Sequence, residues 1–331
     1  MGAQHPAAGL AGGVRRLTAA GAPPLGVRCP RGGTRGARAP DKIGGMTEDL
    51  DRRLRRLRAS GDGDALIDLG CDLADAGRHA DAEQCFRRAA ELGDTVAWFN
   101  LGNALSAQGR SAEAVEAYET ALQAGEADAW RNLGLLLEDL GDLAGAMRAY
   151  RGAIDAGDLE GGLQLAFLLR EQGEREQALA VAEEIAALGD AEAAGVLACW
   201  RYCTTLDPAL EDDLRVGADH FPAARTDLAH VLRETGRAAE ARSVLERGAK
   251  LGEQVAWLPL GNLYREDLGD DEAAEEAFRA GIAAGDVYCH QNLAVLLADR
   301  GDLDGAVEQF RLGAEAGDQL AAQSLRGLEL G

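Results

Sequence analysis

Two cysteines and a histidine in the middle of the chain belong to residue types that can bind metals. Cys199 and Cys203 are four residues apart, so on a helix they share one face. His230 follows them, and thiolate sulfur with imidazole nitrogen is a ligand set that zinc accepts. The alternative is that the cysteines are small buried apolar side chains and His230 is a surface residue. We favour this alternative and predict no metal site, because structural zinc normally uses four ligands at tighter loop spacing.

Sequence motifs typical of enzymes do not occur in the chain. It contains no Walker-type phosphate loop, HExxH, GxSxG or CxxC. We therefore predict that the protein is not an enzyme and uses no cofactor.

A glycine followed by an acidic residue recurs along most of the chain. This Gly-acid pair is a signal for the end of one helix and the start of the next. Glycine favours the left-handed conformation that ends a helix, and Asp is a good cap for the next one. Aligned on this signal, repeating units begin at Asp62, Asp94, Glu126, Asp158, Asp190, Phe221, Glu253 and Asp286. The period near 32 residues predicts a solenoid, in which each unit packs on its neighbours.

Each unit has the pattern of two helices with one small residue on each. The first, helix A, has Leu at the eighth position followed by Gly or Ala, as in Leu101 and Gly102. The second, helix B, has Ala and then a large residue four positions later, as in Ala114 and Tyr118. The small positions permit close packing of antiparallel helices, so we predict an all-α fold.

The second unit carries the pattern W-x-x-L-G-x-x-L, then G, then A-x-x-x-Y-x-x-A. Its residues are Trp98, Leu101, Gly102, Leu105, Gly109, Ala114, Tyr118 and Ala121, and Trp130 and Trp257 recur in the slot of Trp98. This pattern resembles the tetratricopeptide repeat (TPR). The units are two residues shorter than that repeat and use a Gly-acid turn, which is similar to the related Sel1-like repeats. The resemblance covers residues 62–317 and implies a right-handed α-solenoid of about eight antiparallel helix-turn-helix repeats.

The two ends of the array carry candidate capping helices. We interpret residues 46–61, with Leu50 and Leu54, as an unpaired B helix, and residues 318–331, with Leu325, as an unpaired A helix. Residues 1–45 are rich in Pro, Gly and Arg, and we predict a disordered basic tail. The alternative is an over-extended start, with Met46 as the true first residue.

Charge and composition limit the classes of partner. The net charge is −22, and residues 1–45 carry seven Lys or Arg and one acid, which leaves −28 on the rest. Because residues 46–331 are strongly acidic, we do not expect them to bind nucleic acid or anionic membranes. No run approaches the roughly 18 apolar residues of a membrane span. Six cysteines without a secretion signal fit reduced thiols, so we predict a cytoplasmic protein.

The resemblance also implies a peptide-binding concave groove lined by the A helices. Mapped onto this chain, its positions are Phe99, Asn103, Arg131, Asn132, Arg170, Tyr202, His230, Arg233, Asn262, Arg265, Tyr288 and Asn292. Asparagine donates and accepts hydrogen bonds, which suits gripping a peptide backbone. The alternative is that these asparagines are solvated helix surface.

The arginines of this set also have two interpretations. Arg131, Arg170, Arg233 and Arg265 form a basic stripe that selects acidic side chains, or they pair with local acids. We favour pairing with Glu138, Glu171, Glu234 and Glu266, because exposed helical ion pairs are common.

The pattern weakens in the fifth unit and at one proline. The fifth unit lacks the middle Gly and instead offers Asp207 followed by Pro208 as a helix start. Pro259 falls about two turns into a predicted A helix, where it is expected to cause a kink. Repeat drift is our preferred interpretation of both, over a functional hinge.

The functional prediction is a non-enzymatic scaffold that binds a peptide or protein partner in the groove. The array would provide many contacts from an already ordered surface. Two alternatives remain: a peptide-sensing regulator of a separate effector, and a metal protein using Cys199, Cys203 and His230. The sequence identifies neither the partner nor the oligomeric state.

Overall fold

The computed structural model describes residues 43–57 and 61–329, so most of the predicted tail lies outside the described residues. Within them the chain forms eighteen α-helices and no strand. The helices are α1 Ile43–Leu57, α2 Gly63–Asp75, α3 His79–Glu91, α4 Val96–Ala107, α5 Ser111–Gln123, α6 Ala129–Asp139, α7 Leu143–Asp155, α8 Leu159–Glu171, α9 Arg175–Ala187, α10 Ala191–Thr205, α11 Glu211–Gly217, α12 Pro222–Glu234, α13 Ala238–Lys250, α14 Trp257–Glu266, α15 Asp271–Ala283, α16 Cys289–Asp299, α17 Leu303–Glu315 and α18 Gln319–Glu329.

The helices form the predicted all-α solenoid. Helices α2 to α17 are the A and B helices of eight repeats, and α1 and α18 stand at the two ends. Helix α1 begins at Ile43, three residues before the predicted start of the N-terminal capping helix. Its Leu50 and Leu54 are buried, as an end piece that covers an apolar face requires.

The Gly-acid pairs end one helix and begin the next. Gly93 has φ 93°, the left-handed conformation that stops helix α3. The caps follow the prediction at Asp62 and Asp158, whose side chains accept from the backbone N–H groups of Ala65 and Gly161. Beside Gly93 the cap differs, because helix α4 begins after Thr95, which makes no side-chain cap bond.

The small residues of the A helices allow an aromatic ring of the same repeat to approach. A Cβ atom placed on Gly102 would lie 2.5 Å from the ring of Tyr118, and one on Gly134 would lie 2.5 Å from the ring of Tyr150. Both tyrosines are fully buried. The pairing of a small A position with a large B position is therefore confirmed.

The chain divides into two compact units, one up to Val181 and one from Ala182, with the boundary inside α9. The core of the first unit is one continuous cluster that runs from Leu50 of α1 to Ala149 of α7. In the second unit, a cluster contributed by helices α15 to α18 packs against Leu325 of the terminal helix.

The fifth repeat is irregular in the way that its sequence indicates. Helix α10 ends at Leu206, which has φ 52° and is the only residue other than glycine with positive φ in the described chain. A short 3₁₀ turn, Pro208–Leu210, follows, and Asp207 accepts from the N–H of Ala209 at 2.9 Å. The B helix of this repeat, α11, has seven residues instead of thirteen.

The observed position of Pro259 removes the reason to expect a kink in this helix. A 3₁₀ turn, Gln254–Ala256, occupies the start of the seventh repeat, and α14 begins only at Trp257. Pro259 is therefore the third residue of the helix. The first four N–H groups of a helix have no partner within it, so a proline here removes no helical bond.

Candidate functional site

Two of the four predicted groove asparagines are buried and bonded to each other. The side-chain amide of Asn132 in α6 donates to Oδ1 of Asn103 in α4 at 2.9 Å. The hydroxyl of Tyr118 donates to the same oxygen at 2.7 Å, and burial raises the pKa of this tyrosine. Phe99 is also buried, with its ring 6.4 Å from that of Tyr118. The pair therefore joins neighbouring repeats from inside, whereas both sequence interpretations had expected accessible side chains.

The other two asparagines repeat this contact in the second unit. Asn292 in α16 donates to Oδ1 of Asn262 in α14 at 3.1 Å, and both side chains are half-buried. In each case the acceptor is the tenth residue of one repeat and the donor is the seventh residue of the next. We call these two positions the inter-repeat pair.

Between the fifth and sixth repeats, the inter-repeat pair is Cys199 and Asp227. Three side chains come together here: Cys199, Cys203 and Asp227 each contribute one ligand atom, and these atoms lie within 4.8 Å of one another. We call these residues the Cys2Asp cluster. The Cys203 thiol donates to Oδ2 of Asp227 at 3.7 Å. Burial raises the pKa of Asp227 to about 6. The hydrogen bond with Cys203, followed by burial, raises the pKa of the Cys199 thiol.

His230 is not a member of this cluster. Its Nδ1 lies 2.6 Å from the hydroxyl of Tyr202, and the two rings are 6.0 Å apart. Tyr202 is buried, which raises its pKa to about 12. The sequence-based metal hypothesis had placed His230 with the two cysteines because it compared identical repeat positions, and the structure does not bring these three residues together. The contact actually joins the tenth position to the seventh of the next repeat, as Asn103 and Asn132 show.

The groove arginines Arg131, Arg233 and Arg265 pair with acids, as the favoured interpretation expected, but the acids are not the partners that the sequence suggested for them. Arg131 contacts Asp158 at 3.2 Å and also pairs with Glu160. Arg233 pairs with Glu266 at 2.8 Å, and a second ion pair joins Arg233 to Asp267 at 2.5 Å. These acids belong to the following repeat, whereas the sequence had suggested partners in the same repeat.

Arg265 follows the same rule. Arg265 pairs with Asp299, which again belongs to the next repeat. Arg170 is half-buried. Glu138, the partner expected for Arg131, instead accepts from the Tyr150 hydroxyl at 2.9 Å.

Two of these ion pairs, Arg233 with Glu266 and Arg265 with Asp299, place the acid outside and the arginine beneath it. The side chains of Glu266 and Asp299 are 61% and 64% exposed, whereas those of Arg233 and Arg265 are 20% and 26% exposed. Tyr288, just before α16, is 56% exposed and is the most accessible aromatic side chain of the predicted set. We call Glu266, Asp267 and Asp299 the acidic A face.

Comparison with family models and solved structures identifies the repeats. One tetratricopeptide repeat model matches residues 67–128 and 99–160. A second matches residues 153–184, 222–247 and 287–311, and together they cover just over half of the chain. The chain belongs to the tetratricopeptide repeat superfamily. No curated protein sequence matches this TPR protein.

The structural relatives include Sel1-like repeat proteins. The Sel1 repeat protein from Oxalobacter formigenes is 21% identical, with a TM-score of 0.65, and the match covers 90% of this chain and 97% of that chain. The c5321 protective antigen of uropathogenic Escherichia coli, which displays an SLR fold, is 22% identical with a TM-score of 0.61, covering 85% and 67%. A chain of the APC/C hetero-tetramer Cut9-Hcn1 is 16% identical with a TM-score of 0.53, covering 85% and 59%. The TM-scores show a shared fold, and at these identities the likeness extends to the fold alone.

The fold supports a general role in protein–protein interaction, and TPR and Sel1-like proteins are typically non-enzymatic scaffolds. Among the described residues, no helix has the length and apolar character needed to cross a bilayer.

One feature of this TPR array was not anticipated from its sequence. Arg225 occupies the fifth position of the sixth repeat, where Trp98 and Trp130 lie in their own repeats. Its side chain is 3% exposed, and it donates to Glu253 of the next repeat and to the carbonyl oxygen of Ala218. The only available signal was a charged residue in an apolar slot.

Proposed function

We propose that the protein is an interaction scaffold that binds a positively charged segment of a protein partner on the acidic A face. The repeat superfamily supports protein binding in general, and the acidic A face supplies the chemistry of this particular proposal. The partner is a peptide or protein with exposed Lys or Arg side chains.

The observation that carries the proposal is the arrangement of the ion pairs on helices α12, α14 and α16. Arg233 and Arg265 are already neutralised by acids of the following repeat and lie half-buried beneath them. The groups that face solvent are therefore carboxylates, with Glu266 and Asp299 the most exposed. Carboxylates accept charge-assisted hydrogen bonds from Lys and bidentate ones from Arg.

Two further features favour a partner of this charge. The net charge of −22 attracts cationic molecules at long range, which raises association rates. Tyr288 offers an exposed aromatic ring, a residue type enriched among the side chains that dominate binding energy. Because the helices are ordered before binding, little conformational entropy is lost on the scaffold side.

The experiment compares two double variants that change the charge equally. The test variant is Glu266→Gln with Asp299→Asn on the A helices, and the matched control is Glu276→Gln with Asp304→Asn on exposed positions of the B helices. Each protein is used in crosslinking pull-downs with quantified recovery. We expect the wild type and the control to recover the same partners, and the test variant to lose them.

Two results would contradict the proposal. Equal recovery by all three proteins would show that the acidic A face is not the binding surface. Equal losses by both variants would show that only overall charge matters. The buried pair Asn103 and Asn132 is unsuitable for this test, because substitution there changes the packing between repeats.

A further inference from the structure

We propose that the Cys2Asp cluster, Cys199, Cys203 and Asp227, is a binding site for a thiophilic divalent cation of the zinc type. Two sulfur atoms and one carboxylate oxygen from helices α10 and α12 converge there, with all three within 4.8 Å of one another. Cysteine sulfur and carboxylate oxygen are both ligands that zinc takes in proteins.

The spacing of the ligand atoms is close to that of a bound ion. Zinc bonds of about 2.3 Å to sulfur and about 2.1 Å to oxygen place tetrahedral ligand atoms roughly 3.6 to 3.8 Å apart. The Cys203 sulfur and the Asp227 oxygen are already 3.7 Å apart. The other two separations are at most 4.8 Å, which exceeds the spacing around a bound ion by about 1 Å at most.

The second argument is the charge of the buried carboxyl. Asp227 is 8% exposed, and among the described residues no Lys, Arg or His forms an ion pair with it. A carboxylate away from water costs several kcal/mol unless a positive group compensates it. A divalent cation bound to Asp227 gives this carboxylate a direct counter-charge, and the two protons released by the thiols leave the net charge of the cluster unchanged.

The third argument comes from the other repeats. The inter-repeat pair is a neutral amide pair at Asn103 with Asn132 and at Asn262 with Asn292, whereas here it consists of a thiol and a carboxyl. Cys203 stands at the fourteenth position of its repeat, which is acidic in six others: Asp75, Asp139, Glu171, Glu234, Glu266 and Asp299. Three metal-ligating side chains therefore meet where this repeat departs from its neighbours.

Binding follows simple proton chemistry. The two thiols lose their protons to solvent as the sulfur–metal bonds form, and the carboxylate binds through one oxygen. Three protein ligands leave a fourth position, which a water molecule can occupy. His230 is not needed, because its Nδ1 is engaged by Tyr202.

The experiment titrates the metal-free, reduced full-length protein with Co²⁺ as the probe. We expect one equivalent to produce sulfur-to-cobalt charge-transfer absorption and the visible bands of tetrahedral cobalt, and added Zn²⁺ to abolish both. Cys203→Ser should remove the charge-transfer contribution of that sulfur. Asp227→Asn should weaken binding by about tenfold or more, because the neutral amide replaces an anionic ligand.

Two variants serve as controls. Cys85→Ala removes a buried thiol of the first unit and should bind Co²⁺ as the wild type does. His230→Gln should also retain binding, which separates this cluster from the set with His230. Circular dichroism of each variant verifies that it is folded. Absence of the cobalt signal at one equivalent in the wild type, or an unchanged signal in folded Cys203→Ser and Asp227→Asn proteins, would overturn the proposal.

Discussion

The same two repeat positions carry different chemistry at different junctions between repeats. In the first unit, Asn103 and Asn132 form a buried amide pair that also accepts the hydroxyl of Tyr118. In the second unit, Asn262 and Asn292 keep the amide pair, whereas Cys199 and Asp227 occupy those positions between the fifth and sixth repeats and lie close to Cys203. The first arrangement satisfies its own polar groups, and the second contains a buried carboxyl without a basic partner among the described residues. A position that stabilises stacking in one repeat can thus hold a site in another.

A second difference lies five residues into the repeats. Trp98, Trp130 and Trp257 fill this position in the second, third and seventh repeats, whereas Arg225 fills it in the sixth and pairs with Glu253. The sixth repeat is therefore joined to the seventh through a buried ion pair, where the second repeat is joined to the third through a buried amide pair. Ion pairs taken out of water are costly to break from one side.

The largest effect that we predict comes from breaking this buried ion pair. Glu253→Gln should reduce the free energy of unfolding by about 3 kcal/mol, because it leaves the Arg225 guanidinium buried without a counter-charge. The matched control is Glu126→Gln at the same repeat position of the first unit, where we expect a loss below about 1 kcal/mol. Urea denaturation of both variants measures the difference. Equal losses would mean that the two units do not differ in this respect.

The second prediction exchanges the chemistry of the inter-repeat pairs. Asn132→Asp removes the donor to Asn103 and buries a carboxylate, so the free energy of unfolding should fall by about 2 kcal/mol. Asp227→Asn removes a buried carboxyl without a basic partner, so it should leave the stability of the metal-free protein unchanged or raise it. Both are measured by urea denaturation at pH 7 with a chelator. Losses of the same size in both variants would refute the contrast.

The fold could be predicted from the sequence because short-range sequence signals specify each repeat. Glycine stops such as Gly93 and small-large pairs such as Gly102 and Tyr118 recur in phase, and each has one structural meaning. The start of the seventh repeat was misjudged, because a 3₁₀ turn delays the helix and moves Pro259 into its first turn.

The candidate site was only partly predictable. Cys199 and Cys203 were found from their spacing within one helix, whereas Asp227 lies on another helix. Its contact depends on how far one A helix is offset along the next, and a repeat alignment does not contain this offset. The same offset explains why Arg233 pairs with acids of the next repeat and not with Glu234.

The third prediction concerns pH and the irregular B helix α11. Glu211 accepts hydrogen bonds from Arg237 and Arg215, which lower its pKa from 4.5 to about 2. A carboxyl whose pKa is lower in the folded state stabilises the fold fully above its unfolded pKa, and this contribution is lost as pH falls toward 2. Glu211→Gln should therefore cost about 1 kcal/mol at pH 7 and less at pH 3. Urea denaturation at both values, with Glu276→Gln as the exposed control, tests this; a pH-independent loss would contradict it.

The smallest effect is expected at the residue that ends helix α10. The regular A helices end at glycines with positive φ, whereas Leu206 adopts φ 52° with a side chain that is 40% exposed. The left-handed conformation costs a residue with a Cβ atom about 1 kcal/mol, and little packing is lost on truncation of an exposed side chain. Leu206→Gly should therefore raise the free energy of unfolding by about 0.5 kcal/mol, after the entropy that glycine adds to the unfolded chain. Leu188→Gly, at an exposed leucine with ordinary φ, should lower it, and thermal unfolding of the two variants distinguishes these signs. If Leu206→Gly also lowers stability, the irregular end of this repeat depends on the leucine side chain and not on backbone conformation alone.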